Sequence, residues 1–308
     1  MSEPSNKKPP PELAPARERF LELVSALRPE LHRYCARLTG SVIDGEDVVQ
    51  DTLAKTFYAI SNDAELPPLR PLLFRIAHNT ALDALRRYEH RRVETMAEVP
   101  ESAQPLDHAD PEIVGAALGT FMTLPVAQRS AVILKDVLGC TLEEIAESMG
   151  ASVQAVKAAL FRGRTALRAR AAEPDLAPPV VAPAAERAQL HRYAALFNAR
   201  DWEALRELIA DDCRLDLVSR TERRGKGVGE YFSRYAQLHD LRVVAGTLGG
   251  KPALGVYSPS HAPHPKNFIF VEWRAGMLLL IRDFHHVPYI ADEVALGHAI
   301  FTPDPGEP

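Results

Sequence analysis

Between Ala151 and Arg170 the chain reads ASVQAVKAALFRGRTALRAR, with Lys157, Arg162, Arg164, Arg168 and Arg170 and no acid among them. A second basic run, LRPLLFRIAHNTALDALRRYEHRR from Leu69 to Arg92, sets six arginines against Asp83 and Glu89. Stripes of one sign are chemistry for phosphate, because ordinary surface helices mix signs to gain i,i+4 pairs. In the first run Gln154, Lys157, Ala158, Phe161 and Arg162 share one helix face. Gln and Lys there can reach base edges, Arg can meet phosphates, and the small residues let a backbone come close. In the second run Arg75, His78, Asn79, Arg86 and Arg87 join basic groups to amide and planar ones. Asp83 and Arg87 are spaced for an i,i+4 ion pair. Acids gather elsewhere: DGEDVVQDTLAKTF, Asp44 to Phe57, sets a surface strip of Glu46, Asp47, Gln50 and Asp51 against inward Val48, Leu53 and Phe57.

Local sequence supplies the elements that carry these groups. Thr141-Leu-Glu-Glu144 is a capping-box pattern, followed by Leu142, Ile145 and Met149 on one face and by Gly150 as a stop. Ser152 can cap the next helix, whose buried stripe is Val153, Val156, Leu160 and Leu167. Helix, short turn with glycine, helix is a helix-turn-helix pattern.

Composition divides the 308 residues into modules. With 46% hydrophobic and 25% charged residues and a net charge of −5, the chain is an ordinary globular protein of two or three domains. No apolar run approaches the ~20 residues of a membrane span, and the Pro-rich start lacks a signal-peptide core, so a cytoplasmic protein without membrane contact is expected. Cys35, Cys140 and Cys213 have neither disulfide-framework nor zinc spacing; no metal or cofactor is expected. Residues 93–112 form a linker with six acids and no Lys or Arg, and residues 173–184 a stiff Pro/Ala linker. These separate modules at 16–92, 113–172 and 185–295. The first two read as all-α, and the third as α+β.

Leu124 to Arg168 closely resembles region 4 of extracytoplasmic-function (ECF) sigma factors of the sigma-70 family, carried by Leu124-Pro125, Gln128-Arg129, Glu144-Ile145-Ala146, Val156-Lys157 and Arg162-Gly163-Arg164. Asp44 to Phe57 and Leu69 to Arg92 resemble region 2 of the same family. The resemblance implies that region 4 reads the −35 promoter element with Gln154, Lys157, Phe161, Arg162 and Arg164. It implies that region 2 opens and reads the −10 element with Arg75, His78, Asn79, Arg86 and Arg87, the loop Ser61 to Pro68 supplying a base pocket. Asp47, Gln50 and Asp51 would dock on the clamp helices of the polymerase β′ subunit, making core RNA polymerase and promoter DNA the partners. Small Ala155, Ala158 and Ala159, Gly163 within a helix, and the absence of a Trp near Leu72 depart from the family pattern.

The third module gives two helices and a strand, an amphipathic helix at Gly225 to His239 (Val228, Tyr231, Phe232, Tyr235, Leu238), then strands at about 241–248, 252–257, 266–274 and 277–284, the last pair joined at Arg274-Ala275-Gly276. Helices followed by an antiparallel meander pack as an α+β cone. FNARDWEALRELIADDCRLDLV, EYFSRY and FVEWRAGMLLLIRDF carry a resemblance to SnoaL-like, nuclear-transport-factor-2-like domains. In such a cone Asp216, Glu272, Asp283 and His285, with His286, are candidates to line a small-molecule pocket; His261 and His264 have only loose metal-ligand spacing. Met277 to Ile281, MLLLI, is apolar on both faces, so its outer face needs cover from a second copy or from the sigma modules. Two functions are compatible with these modules: a promoter-specificity subunit with a regulatory or ligand-sensing domain, and an enzyme or sensor fused to a simple DNA-binding regulator. The region 2 pattern favours the first.

Overall fold

A proline in the first turn and Gly40 at φ 76° bracket the helix α1, Arg28–Thr39. It leads into α2, Val42–Ile60, and α3, Leu69–Glu89. These positions come from a computed structural model that describes residues 20, 22, 24–60, 68–89, 111–171, 183–219 and 221–304. After two single helical turns, Pro111–Val114 and Leu118–Phe121, come α4, Val126–Val132, its π-helical continuation Ile133–Val137, α5, Leu142–Met149, and α6, Val153–Ala171. The capping box forms as expected: the Glu144 amide donates to Thr141 Oγ1, and Glu144 Oε2 accepts from the Thr141 amide at 2.7 Å. Gly150 ends α5 in the left-handed region.

The chain forms two compact units, divided between Glu173 and Pro174. In the first, both helical modules share one core. Leu31, Tyr34, Leu38, Leu73 and Phe74 belong to the same buried cluster as Phe121, Val132, Ile133, Leu134, Ile145 and Leu160.

The second unit is α+β. Helices α7, Ala184–Asn198, and α8, Trp202–Glu207, precede β1, Ile209–Leu217, and β2, Thr221–Arg224. Helix α9, Gly229–Ala236, precedes β3, Arg242–Leu248, β4, Lys251–Tyr257, β5, Asn267–Arg274, and β6, Met277–Asp283; α10, Tyr289–Ala295, and β7, Phe301–Pro303, follow. The sheet order is β2-β1-β6-β5-β4-β3-β7. Among the described residues only β1 and β6 pair in parallel. Ala275 at φ 50° and Gly276 at φ 82° make the tight β5–β6 turn that the hairpin twist requires.

Tyr193, Phe197, Phe232 and Tyr235 of the helices cluster with Leu215, Val243, Leu254, Ile269 and Ile281 of the sheet's inner face. Leu238 departs from the expected stripe: it lies beyond α9 and is 44% exposed. On the outer face Phe268, Leu280 and Phe284 are buried, and so are Val287 and Ile290 at α10, which packs on β5. Part of the cover expected from a second copy or the helical modules therefore comes from residues 284–303 of the same unit, and the fold continues past residue 295.

Candidate functional site

The first basic face rests on α6. The Ser152 hydroxyl accepts from the Ala155 amide at 3.1 Å and starts the helix. Val156, Leu160 and Leu167 turn inward, leaving Gln154 and Lys157 exposed and Phe161 and Arg162 half-buried. Arg164 does not join them. It is buried, with Nε 2.9 Å from Asp136 Oδ2 and Nη2 2.5 Å from Oδ1, so the guanidinium holds the π turn to α6 instead of reaching a phosphate. Its spacing from Val156 and Leu160, at i+8 and i+4, places it in the apolar stripe, and Asp136 within RSAVILKDVLG is the acid that answers it. That pairing was the missed signal.

The second basic face is the outer side of α3, where Arg75, Asn79, Arg86 and Arg87 are exposed. His78 again departs from expectation. The ring is 6% exposed, with Nδ1 2.9 Å from the Tyr34 hydroxyl and 3.3 Å from Ser130 Oγ. Burial lowers its pKa to about 4, so the ring is neutral near pH 7 and offers no charge to DNA. The Asp83–Arg87 pair is replaced by Arg87 Nε donating to the Asp83 carbonyl at 3.2 Å, with Arg86 at 3.9 Å from the Asp83 carboxylate. Residues 61–67 of the expected base pocket, the side chain of Arg170, and both linkers apart from Pro111, Glu112, Pro183 and Ala184 lie outside the described residues.

On α2, Asp47 and Gln50 are half-buried and Asp51 is exposed. Asp44, Asp47 and Asp51 line a cavity of about 540 Å³ with Val48, Ala84, Leu85 and Arg87, and Met122 also lines it. Glu46 is not part of the surface strip: it is fully buried, paired with Arg28, and its Oε1 accepts from Gln50 Nε2 at 3.5 Å. The one-sided acidic run concealed this, because its partner stands 18 residues away.

The four acid–base candidates of the α+β unit do not converge. Asp283 points into the core and accepts from Tyr231 at 2.9 Å, Tyr235 at 2.7 Å, Asn267 Nδ2 at 2.9 Å and the His285 amide at 2.9 Å. Burial pushes its carboxyl up, and the tyrosine hydrogen bonds oppose that. Asp216 pairs across strands with Arg282, Nε to Oδ2 at 3.1 Å, at register positions that alternate with the inner-facing residues. Glu272 and His285 are exposed, while His286 is half-buried. A single pocket of Asp216, Glu272, Asp283 and His285 is thereby ruled out: adjacent strand positions point to opposite faces. His261 and His264 are exposed, and among the described residues no three His, Cys, Asp or Glu are grouped to hold a metal ion. Among them, too, no helix is long and apolar enough to cross a membrane.

Residues 23–92 match the family model for sigma-70 region 2, and residues 118–167 the model for sigma-70 region 4. The ECF RNA polymerase sigma factor SigG of Mycobacterium tuberculosis is 30% identical over 320 residues, covering 91% of this chain and 81% of that protein. SigE of Mycolicibacterium smegmatis is 32% identical over 154 residues, 48% of this chain and 59% of its own. Among solved structures, Mycobacterium tuberculosis SigJ aligns at 22% identity and TM-score 0.34, over 85% of this chain and 95% of that one. RpoE of Bartonella quintana, solved with the anti-sigma factor NepR, aligns at 22% and 0.40, over 51% and 99%. Because the likeness to SigG runs along most of both chains, through both sigma regions and into the added unit, the chain belongs to the ECF RNA polymerase sigma factor family.

Proposed function

We propose that, within the promoter recognition performed by this family, Gln154 and Lys157 read base edges of the −35 element while Arg162 meets phosphate. Arg75, Asn79, Arg86 and Arg87 hold the −10 element, and Asp47, Gln50 and Asp51 dock on the β′ clamp helices of core polymerase. The chain then acts in the cytoplasm, where polymerase and promoters are. The observation that carries this reading is the exposure of Gln154 and Lys157 at the start of a helix whose opposite stripe is buried. A recognition helix presents its N-terminal residues to the major groove in that way. The C-terminal unit serves as a regulatory or sensing module rather than an enzyme, a reading supported by the dispersal of its acid–base groups over two faces.

Run-off transcription with purified core polymerase tests the assignment. Lys157→Ala should change the ranking of −35 variants by about 1–3 kcal/mol per altered contact. Asp47→Lys with Gln50→Ala should abolish core binding without loss of helicity. An unchanged −35 ranking together with intact core binding would remove both assignments.

A further inference from the structure

Region 4 keeps one ion pair out of water. Arg164 of α6 and Asp136 of the π turn are 4% and 3% exposed, and the guanidinium meets the carboxylate as a fork, Nε on Oδ2 and Nη2 on Oδ1. Burying two charges costs about as much as their attraction offsets, so well-packed apolar residues of the same volume commonly hold a fold equally well. Stability alone does not account for the pair. What a bidentate fork adds is direction: it accepts one geometry, whereas apolar contacts are non-directional and tolerate sliding and rotation.

Direction matters on α6 because the rest of its buried side supplies little of it. Val156, Ala159, Leu160 and Leu167 are buried, and Gly163 presents bare backbone to α4, where a Cβ would lie 2.7 Å from Val132 Cγ2 and 3.2 Å from the Gln128 carbonyl oxygen. These contacts set how closely α6 approaches α4. Small and apolar groups key its rotation only weakly. Arg164 follows Gly163 directly and reaches Asp136 across 28 residues of sequence. Asp136 is itself held in the π turn, in which the Leu138 amide donates to the Ile133 carbonyl at 3.1 Å. Such turns are rare and are found most often at functional sites.

Lys157 precedes Arg164 by two helical turns, which places the two about 20° apart around the helix axis and roughly 10 Å apart along it. The bearing of Lys157 therefore follows that of Arg164. An extended Lys reaches roughly 8 Å from the helix axis, so a rotation of about 20° carries its ammonium roughly 3 Å sideways. Hydrogen bonds to base edges tolerate only a few tenths of an ångström. Loss of the fork would leave α6 helical and its reading misaligned.

We propose that Asp136 and Arg164 are positioning residues for −35 recognition, fixing the rotation of α6 at which Gln154 and Lys157 meet their base edges. This rests on the reading of Gln154 and Lys157 as base contacts. Asp136 and Arg164 act through α6, being too buried to meet DNA themselves.

Run-off transcription by the full-length protein with core polymerase separates positioning from stability. In Asp136→Leu with Arg164→Met, apolar side chains of similar volume replace the pair, and the helical signal and unfolding midpoint should hold. Discrimination among −35 variants at the base pair read by Lys157 should nevertheless fall about tenfold. If that double variant does not fold, Asp136→Asn decides, because it keeps one acceptor oxygen of the fork and loses the other; discrimination should then fall about threefold. Transcription that drops equally on every −35 variant, with the ranking intact, would show a structural role alone and overturn the positioning. A ranking that survives Lys157→Ala overturns the base-contact reading itself, and the positioning with it.

Discussion

Packing displaces the titration of His78 from its ordinary range. Its ordinary pKa is near 6.5, and burial between Tyr34 and Ser130, whose hydroxyls are its neutral partners, lowers it to about 4. A depressed value means that protons bind the unfolded state better, so the stability of the first unit is fully present above about pH 6.5 and is lost as pH falls toward 4. At pH 5.5 the loss from this residue is about 1 kcal/mol relative to pH 7.5. NMR titration of the His78 ring should give a midpoint near 4. His78→Asn should remove that part of the pH dependence of unfolding. A midpoint near 6.5 would show instead that the ring reaches water. From sequence, His78 and Arg164 looked like parts of basic faces because residue type was clear and direction was not. Their partners, Tyr34, Ser130 and Asp136, are remote in sequence, and only packing brings them close.

Elements were more legible than contacts, because periodicity and caps are local. The capping box at Thr141, the stop at Gly150 and strands β3 to β6 all stand where the sequence implies. Strand β7 and helix α10 left no comparable signal, since short elements at a domain's edge carry too few residues to show a period. Gly163 shows where a local rule gives the wrong sign. Helix propensity alone predicts that Gly163→Ala stabilises α6 by about 1 kcal/mol. A Cβ there would lie 2.7 Å from Val132 Cγ2 and 3.2 Å from the Gln128 carbonyl oxygen of α4. The carbonyl is helical backbone and cannot step aside, so overpacking should win and Gly163→Ala should destabilise by about 1–3 kcal/mol. Urea denaturation measures it: a raised midpoint would mean that the α4–α6 crossing has slack.

Across the whole molecule, the two units have separate cores, one built from residues 20–167 and the other from residues 190–281. The division between Glu173 and Pro174 therefore cuts neither core. Truncation after Ala172 should leave regions 2 and 4 folded, with the helical signal and unfolding midpoint of the first unit preserved. Asp283 is enclosed by four donors, and Asp216 is engaged by Arg282. The proposed regulation demands that removing the α+β unit change output at fixed core polymerase. Full-length and truncated proteins should differ in run-off transcription at equal concentration, in either direction, while both retain the −35 ranking set by Gln154 and Lys157. Equal transcription from the two, together with substrate turnover by the separated unit, would transfer that unit from regulation to catalysis.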